Sequence, residues 1–365
     1  MIFKFFKNKK TVLKEALTAA PTAKKYQRHP QDKKNILVVG GAGFIGSHLC
    51  EQLVKGNNVI CLDNFITSSV ENIRFLMQNP NFKFINHDLN KPLVLDDLPD
   101  LKSFQVSIFG IQEIYNLACP TSAKNFNRLA VETAQANSLL VKNVLDLALQ
   151  YDAKLVHASS AVVYGPRLSN NYLKEDFQGP VNFAGPRACY DEGKRFAETL
   201  ITTYARFYNK EFKVARIFRT YGPRLMLNDG QMISDFILNA LDNKNLVIYG
   251  DKNFSTSLTY VDDVVDGLIK LMEINLREPV NFGSNVDVLL SEVAAQIVKM
   301  AASPSKIVYQ NPLEFITQLP LPDITLAKTK LGWYPLVTLE KGLAKTLEYT
   351  VANKQILNNL ANGLK

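Results

Sequence analysis

Three glycines place the strongest constraint on this chain. Gly40, Gly43 and Gly46 stand in the run GGAGFIG, directly after the apolar pentapeptide Asn35-Ile36-Leu37-Val38-Val39 and directly before a helical pattern reaching about Lys55. Strand, glycine turn and helix in that order make a turn that a Cβ would obstruct. The helix behind it offers unpaired N–H groups and a partial positive charge to a phosphate. Glycine-rich turns are common, so the surroundings decide. Asn58 to Leu62 reads as a second strand, and Asp63 closes it 20 residues after Gly43, the position from which a carboxylate reaches the two ribose hydroxyls of a dinucleotide. A carboxylate there suits NAD and repels the extra phosphate of NADP.

The rest of the chain supports such a domain. Further strands are expected at Phe82–Asn86, Glu113–Leu117, Lys154–Ser159 and Phe212–Phe218, with long helices at Leu129–Gln150 and Arg187–Tyr208 between them. This alternation predicts an α/β fold, a Rossmann-type doubly wound parallel sheet with helices on both faces. After Gly222 the order loosens, with helices near 231–242, 262–273 and 290–301, and a smaller C-terminal α/β substrate lobe is expected. The resulting division is a tail at 1–34, a dinucleotide domain at 35–222, a mainly substrate-binding lobe at 223–350 and a C-terminal tail at 351–365. The segment 88–112 is long for a strand-to-strand connection and is expected to carry a surface insertion.

Charge narrows the partners. The chain holds 42 Lys plus Arg against 34 Asp plus Glu, but ten of the bases and only two of the acids (Glu15 and Asp32) fall in residues 1–34. The remaining body is neutral, so no nucleic acid is expected as a partner. In the basic tail, Phe3, Phe5, Phe6, Val12, Leu13 and Leu17 sit among lysines. Weak contact with an anionic membrane surface, docking to an acidic partner and a solvated tail all remain open. Cys50, Cys61, Cys119 and Cys189 have neither metal-site nor disulfide-scaffold spacing. No apolar run approaches the 18 residues of a membrane span, and no secretory signal is evident, so a cytoplasmic location with reduced thiols is expected.

A second constellation carries chemistry. Tyr190 and Lys194 are four apart on an expected helix and share one face; Ser159 and Ser160 end the strand that should lie opposite. A Ser/Tyr/Lys set fits hydride transfer from a secondary alcohol: tyrosinate takes the hydroxyl proton, Lys lowers the Tyr pKa, and Ser orients the oxygen. Asp88 stands where it would meet an adenine edge or cap a helix.

These motifs resemble the extended short-chain dehydrogenase/reductase family, which acts on nucleotide sugars, and within it most nearly the UDP-glucuronate decarboxylase branch. The segments that carry the likeness are GGAGFIGSHL (40–49), INHDLNKPL (85–93), VNFAGPRACYDEGKR (181–195), ARIFRTYGPR (215–224), NDGQMISDFILNAL (228–241) and PDITLAKTKLGW (322–333). The resemblance covers about residues 35–350. It implies NAD held by Gly40, Gly43, Phe44, Ile45, Gly46, Asp63, Asn64, Asp88, Leu89, Leu117 and Ala118 together with Tyr190 and Lys194. For the nucleotide-sugar substrate it implies Cys119, Asn137, Arg187, Arg219, Arg224, Tyr249 and Thr256. Cys119 and Asn137 read equally as packing residues, and Trp333 reads as core. A homodimer through the helices near 129–150 and 187–209 is also implied.

The chain departs from the family pattern in its substrate site. Val162 stands where the family usually has Glu, making Ser159-Ser160-Ala161-Val162-Val163-Tyr164-Gly165 more like the corresponding run of nucleotide-sugar 4-epimerases. The family typically has Asn at Arg219, Arg at Thr256, and a basic residue just before Pro322-Asp323, where this chain has Leu319-Pro320-Leu321. Arg219 is therefore expected to replace a missing diphosphate anchor, or else the substrate is not a standard UDP-sugar. A 4,6-dehydratase needs carboxyl groups to move protons at the sugar, so their loss disfavours dehydration. Decarboxylation of a β-keto acid and 4-epimerisation remain open, beside a non-catalytic NAD-binding protein that would have little need of Tyr190 and Lys194.

Overall fold

A computed structural model describes Tyr26 and residues 33–363, apart from 123, 124, 228, 229 and 314, and without the side chains of 361–363. The apolar tail residues between Phe3 and Leu17 lie outside the described residues. Seven parallel strands form the central sheet: β1 Asn35–Val39, β2 Asn58–Asp63, β3 Phe82–Asn86, β4 Glu113–Asn116, β5 Lys154–Ser160, β6 Phe212–Ile217 and β7 Val280–Phe282, in the order β7-β6-β5-β4-β1-β2-β3. The order reverses beside β1, and the crevice at that switch point, above the strands' carboxyl ends, is where ligands bind in open α/β sheets.

Successive residues of β1 explain its unbroken apolar run. Ile36 and Val38 enter the core on one face, while Leu37 and Val39 enter a second core on the other. Helices α1 Phe44–Leu53 and α4 Val261–Glu273 cover the first face; α2 Leu139–Tyr151 and α3 Ala188–Phe207 cover the second. A strand buried on both sides has no polar face to alternate with.

Several expectations are corrected. The helix expected over 129–150 is two pieces, Ala130–Ala136 and α2, with a further turn at Asn125–Arg128 before them. It breaks where Asn137 Nδ2 donates to Thr133 O at 2.9 Å and Ser138 Oγ to Ala134 O at 2.7 Å, side chains bonding to the preceding turn. The connection 88–112 is not a surface insertion. It must cross β2 and β1 to link edge strand β3 to β4, and it buries Leu89, Leu95, Leu101, Phe104, Val106 and Ile111 on the way. Residues expected in a separate lobe contribute both β7 and α4 to the main sheet and its cover. Trp333, fully buried, donates its indole N–H to Asp263 O at 2.7 Å. One helix, Leu339–Gly363, runs through the expected start of a C-terminal tail; Leu357 packs with Leu227 and Leu238. Among the described residues, no helix is long and apolar enough to cross a membrane.

Candidate active site

The glycine turn is held from three sides. Gly40, at φ 77°, donates to Leu62 O at 2.8 Å, and a Cβ on it would lie 2.7 Å from Ala118 N. A Cβ on Gly46 would lie 2.1 Å from Gly40 O, whereas one on Gly43 would meet only that oxygen, at 3.2 Å. Gly40 and Gly46 are thus required by the protein itself. Gly43 faces open space in the cleft, the space a pyrophosphate needs. Ser47 N–H makes the first helical bond of α1, to Gly43 O at 2.9 Å, and Gly43 caps the helix without a side-chain bond, so the preceding N–H groups are available to a ligand. We expect Gly46→Ala to disturb the fold by about 1–3 kcal/mol through overpacking, and Gly43→Ala to melt like wild type yet lose bound NAD. NAD content and a thermal melt check both; a Gly43→Ala protein that keeps its NAD would remove the cradle from Gly43.

Asp63 is buried and does two things. Its Oδ2 accepts Ala42 N–H at 3.0 Å, and its Oδ1 accepts Phe65 N–H at 2.9 Å and Ser68 Oγ–H at 2.7 Å. A carboxylate has about four acceptor positions, so room remains for a ribose hydroxyl after these three fix the turn to β2. Around it a cavity of about 110 Å³ is lined by Asn64, Asp88, Leu89, Leu117 and Ala118. Gly40, Gly43 and Asp63 line it as well, whereas Phe44, Ile45, Gly46, Tyr190 and Lys194 of the expected cofactor set line an adjoining cavity; Glu132 and Gln135 also line this one and were not anticipated.

A larger cavity of about 280 Å³ adjoins it, sharing Gly40, Gly43, Thr67, Leu117 and Cys119. Ser159, Ser160, Tyr190, Lys194, Arg187, Arg219 and Arg224 all line it. Tyr190 is buried against Phe126, with ring centroids 5.1 Å apart. Burial first, and then Cys119 and Asp191, push its pKa well above the ordinary phenol value; a hydrogen bond with Ser160 and the Arg187 charge work the other way. Lys194 Nζ lies 5.9 Å from the Tyr190 ring centroid and donates to Ala158 O at 2.8 Å, which anchors it on β5.

The two serines diverge. Ser160 Oγ accepts Val162 N–H at 3.4 Å and faces Tyr190. Ser159 Oγ donates to Glu198 Oε1 at 2.5 Å, away from Tyr190. Glu198 in turn accepts Arg216 Nε at 2.9 Å and Nη2 at 2.7 Å; Arg216 Nη1 reaches Tyr164 OH at 2.9 Å, and that hydroxyl donates to Asn281 Oδ1 at 2.7 Å. This buried chain ties β5, α3, β6 and β7 behind the cleft. Glu198 had a signal in the sequence: Tyr190, Lys194 and Glu198 repeat at four-residue spacing on one helix face.

Other expected residues fall differently. Cys119 lines both cavities; burial raises its pKa and outweighs the opposing pull of Lys194 and of the bond it accepts from Asn137 Nδ2–H at 3.3 Å, so it stays a thiol. Asn137 is wholly buried behind Cys119 and lines neither cavity; half-buried Tyr249 and buried Thr256 line neither cavity either. Thr256 Oγ1 instead donates to Ser257 O at 3.3 Å inside a short antiparallel ladder. Of the wall formed by 315–319 only Leu319 was singled out from the sequence: the segment is a loop without periodicity, pinned by Arg187 Nη1 donating to Phe315 O at 2.5 Å. Val162, Phe126, Phe315 and Leu319 make that side of the cleft apolar. No Asp or Glu is among the described residues lining the larger cavity, whose charged groups are Lys194, Arg187, Arg219 and Arg224.

Comparison with known proteins agrees with this geometry. A model of the NAD dependent epimerase/dehydratase family matches residues 36–283. UDP-glucuronic acid decarboxylase 1 of Danio rerio is 40% identical over 321 residues, spanning 87% of this chain and 73% of its own. UDP-glucuronic acid decarboxylase 3 of Arabidopsis thaliana is 38% identical over 329 residues, 89% of this chain and 91% of its own. Among solved structures, an epimerase from Methanothermobacter thermautotrophicus superposes with TM-score 0.79 at 26% identity, covering 90% of this chain and 95% of that one. The UDP-glucuronic acid 4-epimerase of Bacillus cereus, in complex with UDP-glucuronic acid and NAD, gives 0.76 at 26% identity, covering 88% and 99%. With the model spanning well over half its length, the chain belongs to the NAD dependent epimerase/dehydratase family.

Proposed function

We propose that this chain decarboxylates UDP-glucuronate through a 4-keto intermediate. The observation that carries the reading is the composition of the larger cavity: a Ser160–Tyr190–Lys194 set, cationic side chains, an apolar wall at Val162, and no carboxylate among the described lining residues. A dehydratase would need acid and base groups at C5 and C6. Decarboxylation needs only a ketone beside the carboxyl-bearing carbon.

In this reading Tyr190, as phenolate, takes the C4 hydroxyl proton while Ser160 holds the oxygen. NAD, when bound, accepts the C4 hydride and later returns it. The Lys194 ammonium sits near the Tyr190 ring and favours the phenolate. Once C4 is a ketone, the C5–C6 bond breaks, its electron pair passes to the ketone oxygen as an enolate, and CO2 leaves. C5 then takes a proton from water, and hydride return with the Tyr190 proton restores the C4 hydroxyl. Ser159, committed to Glu198, positions the end of β5 rather than touching substrate. Desolvation by Val162, Phe126 and Phe315 disfavours the charged carboxylate and so assists its loss.

The test is incubation with NAD and a panel of nucleotide sugars, following CO2 and product mass. CO2 release from UDP-glucuronate with a product lighter by one CO2 is expected. A product of unchanged mass would replace this reading with 4-epimerisation, which the epimerase-like run Ser159–Gly165 favours.

A second copy of the chain is the partner proposed for α3 and the broken helical stretch before it. Val131, Leu139, Phe196 and Phe207 are exposed large apolar side chains on those helices. Sedimentation should give a dimer mass, and Phe196→Glu with Phe207→Glu a monomer; a wild-type monomer at micromolar concentration would reject it.

A further inference from the structure

We infer that Arg219 is the anchor for the substrate's diphosphate, a specificity-determining guanidinium; this rests on the nucleotide-sugar reading above. The inference comes from the charges around the larger cavity. Arg187 is committed: Nε donates to Asp191 Oδ2 at 3.0 Å, Nη2 to Oδ1 at 2.9 Å, and Nη1 to the Phe315 carbonyl. Arg224 is committed too, paired with Glu51 and lying 4.6 Å over the Phe75 ring. Lys194 is held by Ala158 O.

Arg219 differs from all three in having no partner at any nitrogen among the described residues; Arg224 Nη1 is also buried without one, but the same guanidinium is neutralised through its pair with Glu51. No described residue accepts a hydrogen bond from its guanidinium or forms an ion pair with it, and its Nε is buried without a partner. Burial, and then its charged neighbour Arg187, another cation, draw its pKa down to about 10. It is therefore still charged at neutral pH. A guanidinium with its Nε buried and unpaired beside a like charge is unfavourable unless an anion completes it. The side chain lines the same cavity as Tyr190, so the anion that completes it is a ligand of that cavity.

The backbone fixes where Arg219 stands in the cavity wall. Arg219 follows β6, its carbonyl accepts Thr259 N–H at 3.0 Å, and the next two residues pair with Thr259 and Tyr260. Both sides of the residue are pinned, so the guanidinium is presented from a rigid wall. Thr256, in the neighbouring short ladder, is turned inward and supplies no charge. A planar guanidinium with free donors matches a phosphate oxygen pair, which an asparagine or threonine at this place would not match in charge.

The experiment measures binding of UDP, UDP-glucose and UDP-glucuronate to NAD-loaded wild type, Arg219→Asn and Arg219→Lys by calorimetry. Losing a charged hydrogen bond should weaken all three ligands alike by about 10- to 100-fold in Arg219→Asn, with partial recovery in Arg219→Lys. Should Arg219→Asn fail to fold, Arg219→Lys is still expected to show a smaller but uniform loss. Unchanged UDP affinity would overturn the inference. A loss confined to UDP-glucuronate would overturn it as well, since the guanidinium would then read the sugar carboxylate. If wild type binds none of the three, the nucleotide-sugar reading itself falls and takes this one with it, an outcome distinct from binding that ignores Arg219.

Discussion

Replacing Tyr190 by Phe should lower kcat by about 10²- to 10⁴-fold, the range that a positioned acid–base group contributes, while leaving bound NAD and the melting temperature close to wild type. The ring would keep its stack on Phe126, and Ser160 would keep Val162 N–H as a partner, so little but the proton acceptor is lost. The wild-type pH profile bears on the same group. Burial raises the Tyr190 pKa, so the phenolate that the forward step requires becomes more populated as pH rises. Turnover should climb with pH through the neutral range until cofactor or substrate binding fails. Stopped-flow reduction of the bound NAD, read at 340 nm, would follow the first half-reaction. A Tyr190→Phe rate within threefold of wild type would remove Tyr190 from the chemistry.

The second large effect is expected at a residue that touches no ligand. Glu198 accepts two bonds from Arg216 and one from Ser159, with both charged side chains largely buried. Breaking a buried pair by removing one partner typically costs 3–5 kcal/mol, because the other charge stays behind. Glu198→Ala should lose about that much, seen as a lower urea midpoint at unchanged slope. Glu198→Gln, which keeps the shape and some of the bonds, should lose less. An Ala variant as stable as wild type would mean that Arg216 is satisfied by Tyr164 OH and the Glu175 carbonyl alone.

These two residues also mark where the sequence was readable. Tyr190 and Lys194 announce themselves by spacing, and the glycine turn by its place between a strand and a helix, because those constraints are local. Six strands of the sheet were legible as short apolar runs. The seventh, Val280–Phe282, is three residues long and exists only because β6 offers it an edge. The connection through 88–112 looked like an insertion because sequence order does not say which strands are neighbours in space. The break at Asn137 and Ser138 depends on side chains choosing carbonyls within the helix, which apolar periodicity does not record. Thr256 and Tyr249 were placed at the substrate by likeness to relatives, and the local ladder turned Thr256 inward instead. Ser159 and Ser160 were indistinguishable in one dimension; Glu198 and Tyr190 separate them.

The late arrival of β7 also matters during synthesis. When the ribosome has made β6, the sheet ends in a strand with an open row of N–H and C=O groups, and the residues that will cover it have not yet been translated. At about 5–20 residues per second the wait lasts several seconds. For that time β6 is an unprotected edge of the kind that pairs with neighbouring chains, and Arg216, on that same strand, awaits the Tyr164–Asn281 bond that β7 completes. Chains released before Phe282 should therefore accumulate in aggregates or on chaperones rather than as a folded dinucleotide-binding half.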